Sequence, residues 1–209
     1  MKKALKTVKS NLLLSSHTTD LVEAGVDEVG RGCLAGPVVA ASVILPKNYQ
    51  NPILNDSKKL NHVVRKALTA QLKKDAVAYA IGEISHTIID EVNILNATYL
   101  AMHQSIEALR VTPELLLIDG NRFKPYKSIP YECIVKGDGK YLSIAAASVL
   151  AKTYRDELME KLDIEFPHYG WAKNVGYPTV KHRAGIQEFG VTPYHRKSFK
   201  LLPTQLELF

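Results

Sequence analysis

Four acids stand where apolar runs stop. Asp27 and Glu28 lie near the end of a stretch that closes at Gly30, Asp119 follows LLLI, and Asp138 sits between two glycines ahead of a long helical pattern. An unpaired carboxylate in or beside a buried strand costs several kcal/mol unless its charge is compensated. A divalent cation compensates it efficiently. Hard ions such as Mg²⁺ take oxygen ligands, and two of them about 4 Å apart hold both the attacking water and the leaving oxygen of an in-line phosphoryl displacement. Three or four acids suit that task. Taken singly, the Asp27-Glu28 pair reads equally well as a solvated strand end, and Asp138 as a turn residue beside glycine. Adjacent strand residues face opposite sides, so a regular strand cannot aim both Asp27 and Glu28 inward. Either the strand is distorted, or Glu28 contributes from the side or through its carbonyl.

Basic and small residues surround these acids. Gly30-Arg31-Gly32 sets a permanent positive charge between two residues that let a ligand approach the backbone, although such a tripeptide is also a plain turn. Lys58 and Lys59, in DSKKL ahead of a basic helix, could meet phosphates or simply be solvated. His195-Arg196-Lys197-Ser198-Phe199 combines cations with an aromatic, as a DNA backbone contact or a solvated tail would.

The elements that must position them follow from periodicity. Strands are expected at 21–29, 38–45, 77–84, 115–118 and 131–135. Helices are expected at 61–76 with Asn61 as cap, at 87–91 and 94–109, at 143–162 with small residues near its start, and at 179–189 stopped by Gly190. Three early strands followed by alternating helices and strands describe an α/β layer with a mixed sheet. Residues 1–20 lack a sustained period and read as a frayed leader or short surface helix without assigned chemistry.

With 209 residues, 46% of them hydrophobic and 23% charged, the chain suits one globular domain. Its 27 Lys and Arg against 21 Asp and Glu give a net charge of +6, which favours polyanionic partners. Two cysteines, Cys33 and Cys133, fit neither a disulfide framework nor a zinc site. No apolar run is long enough to span a bilayer, and a cytoplasmic protein is the expectation.

The motifs GVDEVGRGCLAGPVVAA at 25–41, DSKKL at 56–60, IDG at 118–120, KGDGKYLSIAAASVLAKTYRD at 136–156, GYPT at 176–179 and HRKSF at 195–199 resemble, together and in this order, ribonuclease HII, the type 2 ribonuclease H. The resemblance spans about residues 22–199. It implies a ribonuclease H-like α/β fold, a mixed five-stranded sheet flanked by helices with a helical C-terminal part, over 21–200. It places the catalytic and metal-holding acids at Asp27, Glu28, Asp119 and Asp138, not Asp156, with two Mg²⁺ or Mn²⁺ ions. It further implies that Gly30, Arg31 and Gly32 contact the ribose 2′-hydroxyl and adjacent phosphates, and that Tyr177 packs at the junction sugar. Lys58, Lys59 and Arg196 join them as candidate contacts. Cys33 stands at a variable position of the glycine motif, and Val175 where lysine is frequent.

The implied activity is metal-dependent hydrolysis 5′ to a ribonucleotide in RNA–DNA hybrids or duplex DNA, by a monomer that removes misincorporated ribonucleotides. A non-cleaving junction adaptor is the rival, disfavoured because acids repel phosphate unless metals bridge them. The related type 3 enzymes usually carry an extra N-terminal domain, which the short leader cannot supply. In the tail 201–209, Gln205, Leu206, Leu208 and Phe209 resemble the short peptide by which bacterial repair proteins dock on the sliding clamp, an alternative being a tail folded back on its own domain.

Overall fold

The computed structural model describes residues 13–54 and 61–202. Five strands form one sheet in the order β3-β2-β1-β4-β5: β1 (Glu23–Val29), β2 (Val38–Ile44), β3 (Ala78–Ile84), β4 (Leu115–Asp119) and β5 (Tyr131–Ile134). The first three pair antiparallel, while β4 runs parallel to both β1 and β5. The mixed sheet is thus the expected one, and β1 and β4, side by side and parallel, end at the same edge with their acids.

Alternation along the strands feeds two cores. Val39, Ala41 and Val43 of β2 pack under α1 (His62–Asp75) and α3 (Leu142–Glu165), whereas Val38, Ala40 and Ile44 face α2 (His86–Glu107). Every residue of β2 is buried, which explains its β-branched and alanine composition, and its one polar residue, Ser42, is bonded to Ser105 of α2. Small residues let the layers close: a Cβ on Gly25 would lie 2.3 Å from the Ser143 carbonyl carbon of α3, and one on Gly82 would lie 2.1 Å from the Ala101 carbonyl oxygen of α2. Asn61 caps α1 through its side chain, as expected.

The two helical stretches expected around residue 92 are one element interrupted at Asn93, whose φ of 66° and ψ of 165° break the helix. Its side-chain oxygen accepts from the amides of Leu95 and Asn96 and so caps the second half. A four-residue helix, α4 (Trp171–Asn174), was not foreseen. With α5 (Val180–Phe189) and the C-terminal segment, it packs a third cluster onto the second half of α3 around Trp171, Met159 and Tyr169.

The expectation of a frayed leader fails for residues 13–20. Leu13 is buried in the α3 core, Leu14 bridges the backbone beside Tyr141, and Glu23 accepts from the amides of His17 and Thr18. At the other end Leu201 is buried, so the domain extends to at least that residue. Lys58, Lys59, Gln205, Leu206, Leu208 and Phe209 lie outside the described residues. Among the described residues no helix is long and apolar enough to cross a membrane.

Candidate active site

Parallel pairing of β1 with β4 sets Asp27, Glu28 and Asp119 at one sheet edge. Asp27 shares the face of Gly25, under α3, and is 6% exposed; Glu28 points to the α2 side. The strand is regular through both residues, pairing Asp27 with Ala41 and Glu28 with Ala40. Of the two alternatives the sequence left, regular pairing removes a distorted strand and leaves Glu28 to contribute from the side or through its carbonyl. Burial, then the charges of Glu28 and Asp119, push the Asp27 carboxyl well above the ordinary carboxylate range, against hydrogen bonds from Ser148 and the Glu28 amide. Burial also raises Glu28, with Arg31 opposing it through an ion pair of 3.2 Å.

The chain turns after β5 through Lys136, at φ 57°, into a single 3-10 turn, Gly137–Gly139, that leads into α3. The Gly137 amide donates to Asp119 Oδ1 at 2.6 Å, which ties this turn to the β4 tip and brings the buried Asp138 to the same region. Among the described residues no three acid, histidine or cysteine side chains are already gathered tightly enough to hold an ion between them. The donor set nonetheless fits a hard divalent cation: it is all carboxylate, and the burial that raises Asp27 and Glu28, with the repulsion of neighbouring acids added to it, is what such an ion offsets. Asp156 is excluded from this group by its bonds: 2.6 Å to Arg65, which holds α1 to α3, and 3.1 Å to Lys152 one turn earlier on α3.

Beside the acids lies a cleft of about 540 Å³ between Glu28, Asp119 and α2. Arg31, Tyr99, Asn121 and Arg122 line it. The last three were missed in the sequence. IDGNR does place Asn121 and Arg122 after the acid, whereas Tyr99 reaches the cleft only through the packing of α2.

The glycine turn is organised from beneath. Gly30 is buried at φ 94°, and a Cβ there would meet Arg155 Nε at 2.3 Å, so its missing side chain makes room for an arginine and not for a ligand. Gly32 is exposed, and its Cβ position is 3.7 Å from the Tyr177 ring, which is 41% exposed. Gly30, Arg31, Gly32 and Tyr177 are thus brought together.

Arg196 requires a correction. It is fully buried, donating to the carbonyls of Gly30, Arg31, Gly36 and Pro37, so it cannot reach a phosphate. His195 is buried as well, which leaves Lys197 as the exposed cation of HRKSF. No local pattern signals this, because the partners of Arg196 lie about 160 residues away.

A mixed five-stranded sheet with carboxylates at neighbouring strand tips defines a nuclease of the ribonuclease H-like class. The chain superimposes on the ribonuclease HII of Archaeoglobus fulgidus, solved in complex with PCNA, with a TM-score of 0.74 at 26% identity, covering 90% of this chain and all of that one. Its likeness to Bst-RNase HIII, solved in complex with Mn²⁺, is one of fold: TM-score 0.67 at 19% identity, over 90% of this chain and 68% of that one. In sequence it is 58% identical over 196 residues to ribonuclease HII of Christiangramia forsetii, covering 94% of this chain and 99% of that protein. The family profile described as Ribonuclease HII matches residues 24–202. The chain belongs to the ribonuclease HII family and is a metal-dependent endoribonuclease acting on RNA/DNA hybrids.

Proposed function

We propose that this endoribonuclease cuts the phosphodiester 5′ to a ribonucleotide, whether in a long hybrid or embedded singly in duplex DNA, leaving a 3′-hydroxyl and a 5′-phosphate. The observation that carries this reading is the meeting of Asp27 and Glu28 from β1 with Asp119 from the parallel β4, tied in turn to the Asp138 turn. Asp27, Asp119 and Asp138, with help from Glu28, would hold two Mg²⁺ or Mn²⁺ ions. When bound, the ions supply charge stabilisation and a water of lowered pKa, so no His or Cys nucleophile is needed.

The protein's own residues do the rest. Ser148 and the Glu28 amide orient the Asp27 carboxylate, and the Gly137 amide orients Asp119. Arg31 balances the acidic edge where the phosphate backbone enters, and Tyr177 offers a face to the sugar beside Gly32. Lys58 and Lys59 are proposed as further phosphate contacts.

For partners and setting, residues 205–209 are proposed as a sliding-clamp peptide, a reading supported by the A. fulgidus relative having been solved with PCNA. Free Cys33 and Cys133 suit a reducing cytoplasm, where a monomer would remove ribonucleotides from DNA.

The test is cleavage of a duplex carrying one ribonucleotide, with Mg²⁺ or Mn²⁺, by wild type and by Asp119→Asn. The variant is expected to lose at least about a hundredfold in turnover while still binding the duplex. Full turnover by Asp119→Asn at saturating metal sinks the assignment.

A further inference from the structure

Two arginines that the chemistry above does not use lie buried under the glycine turn. Arg196 donates through Nη2 to the Gly30 carbonyl at 2.7 Å and the Pro37 carbonyl at 3.1 Å, through Nη1 to Arg31 at 3.0 Å, and through Nε to Gly36 at 3.0 Å. Arg155 donates through Nε to Pro37 at 2.9 Å, through Nη1 to Val175 at 2.6 Å and through Nη2 to Ala35 at 3.0 Å. Among the described residues neither guanidinium forms an ion pair. Two like charges buried together are a poor route to stability, and burial together with Arg155 draws the Arg196 pKa down to about 10. Their placement has a consequence for the backbone above them. Across a trans peptide the carbonyl of one residue and the amide of the next point in opposite directions. Carbonyls of Gly30 and Arg31 drawn inward therefore turn the amides of Arg31 and Gly32 outward, where both residues are exposed. Among the described residues neither amide has a protein acceptor. Val175, bonded by Arg155, sits two residues before Tyr177, so the same guanidinium joins the glycine turn to the loop that carries the tyrosine.

We propose that Arg155 and Arg196 are positioning residues for ribonucleotide recognition, fixing the Arg31 and Gly32 amides as outward donors to sugar and phosphate oxygens at a set distance from Tyr177. This rests on the reading of the glycine turn as the ribose contact.

The test uses an Asp119→Asn background, in which the substrate survives, and compares binding of a duplex carrying one ribonucleotide with the same duplex in all-DNA form. Arg155→Lys and Arg196→Lys keep the charge and lose the forked geometry. Each is expected to lower the ribonucleotide preference about tenfold with all-DNA binding retained, and in the active enzyme to raise KM more than it lowers kcat. A merely structural role reduces the active fraction and leaves the preference and KM unchanged, and that result overturns the proposal. A wild-type preference near one instead overturns the underlying reading of the turn, and this proposal with it. Hydrogen exchange on the unmodified chain keeps the question answerable if a variant does not fold. The Arg31 and Gly32 amides are expected to exchange fast in the free protein and to be protected by the ribonucleotide duplex but not by DNA. Slow exchange in the free protein overturns the proposal.

Discussion

At the tip of β1, the Asp27 carboxyl is buried and repelled by Glu28 and Asp119, so its proton leaves only well above the usual range. A raised folded-state value means that the folded protein binds more protons than the unfolded chain over that interval, and stability falls as pH rises through it. Once ionised, the group is a liability until a cation offsets it. Asp27→Asn removes that liability while retaining an oxygen to accept from the Glu28 amide. The variant is expected to abolish cleavage and yet to melt higher than the metal-free wild type, by about 2–4 °C for each kcal/mol recovered. Mg²⁺ should raise the melting temperature of wild type more than that of the variant; equal shifts would show that Asp27 is not part of the ion-binding set. Asp119 was legible in the sequence because it ends an apolar run, where a strand delivers its last side chain; Asp27 and Glu28 stood out near the close of such a run, and Asp138 by the glycines around it. Arg196 was not, since a cation in a polar pentapeptide looks solvated until the fold supplies buried carbonyls.

Elements carry the site through close packing more than through hydrogen bonds. Helix α3 lies so near β1 that Gly25 has no room for a methyl group, the obstacle being the backbone at Ser143 and Ile144. That contact sets the height of α3 over the sheet, and with it Ser148 and the Asp138 turn at the helix start. Gly25→Ala is expected to destabilise by about 3 kcal/mol and to lower kcat in the fraction that remains folded. Gly82→Ala, equally crowded against α2 but on the far side of β2, should destabilise with a smaller effect on kcat per folded molecule. Urea unfolding with active-site titration separates the two; equal kcat loss would mean that α3 does not set the acid geometry. The principal strands and helices were legible because their apolar periods are long. The helix at Trp171–Asn174 was too short to show a period, and the anchoring of residues 13–20 depends on pairing with residues 140–142, which no local pattern encodes.

On the scale of the molecule, the cluster outside the sheet is closed by a pair of buried histidines joining α5, α4 and the C-terminal segment. Trp171 Nε1 donates to His182 Nε2, which must therefore be an acceptor, so the neighbouring His195 Nε2 at 3.1 Å carries the hydrogen between them. His195 Nδ1 in turn accepts from the Thr192 amide, and His182 Nδ1 donates to the Tyr177 carbonyl. Every position is satisfied with both rings neutral, and a proton added to either one sets donor against donor. Burial, then the charge of His182, lowers His195 to about 4, and burial lowers His182. Depressed histidine values mean that the unfolded chain takes up protons that the folded chain refuses, so stability falls as pH drops from about 6.5 towards 4. This slope is opposite in sign to that of Asp27. His195→Gln loses the ring's bonds and is expected to be the less stable protein at pH 7, but it has no proton to take up at this position. The stability gap between it and wild type should therefore narrow steadily from pH 7 to pH 5 in urea unfolding without metal. A gap that stays constant would mean that the pair does not link the C-terminal segment, and through it the tyrosine loop, to pH.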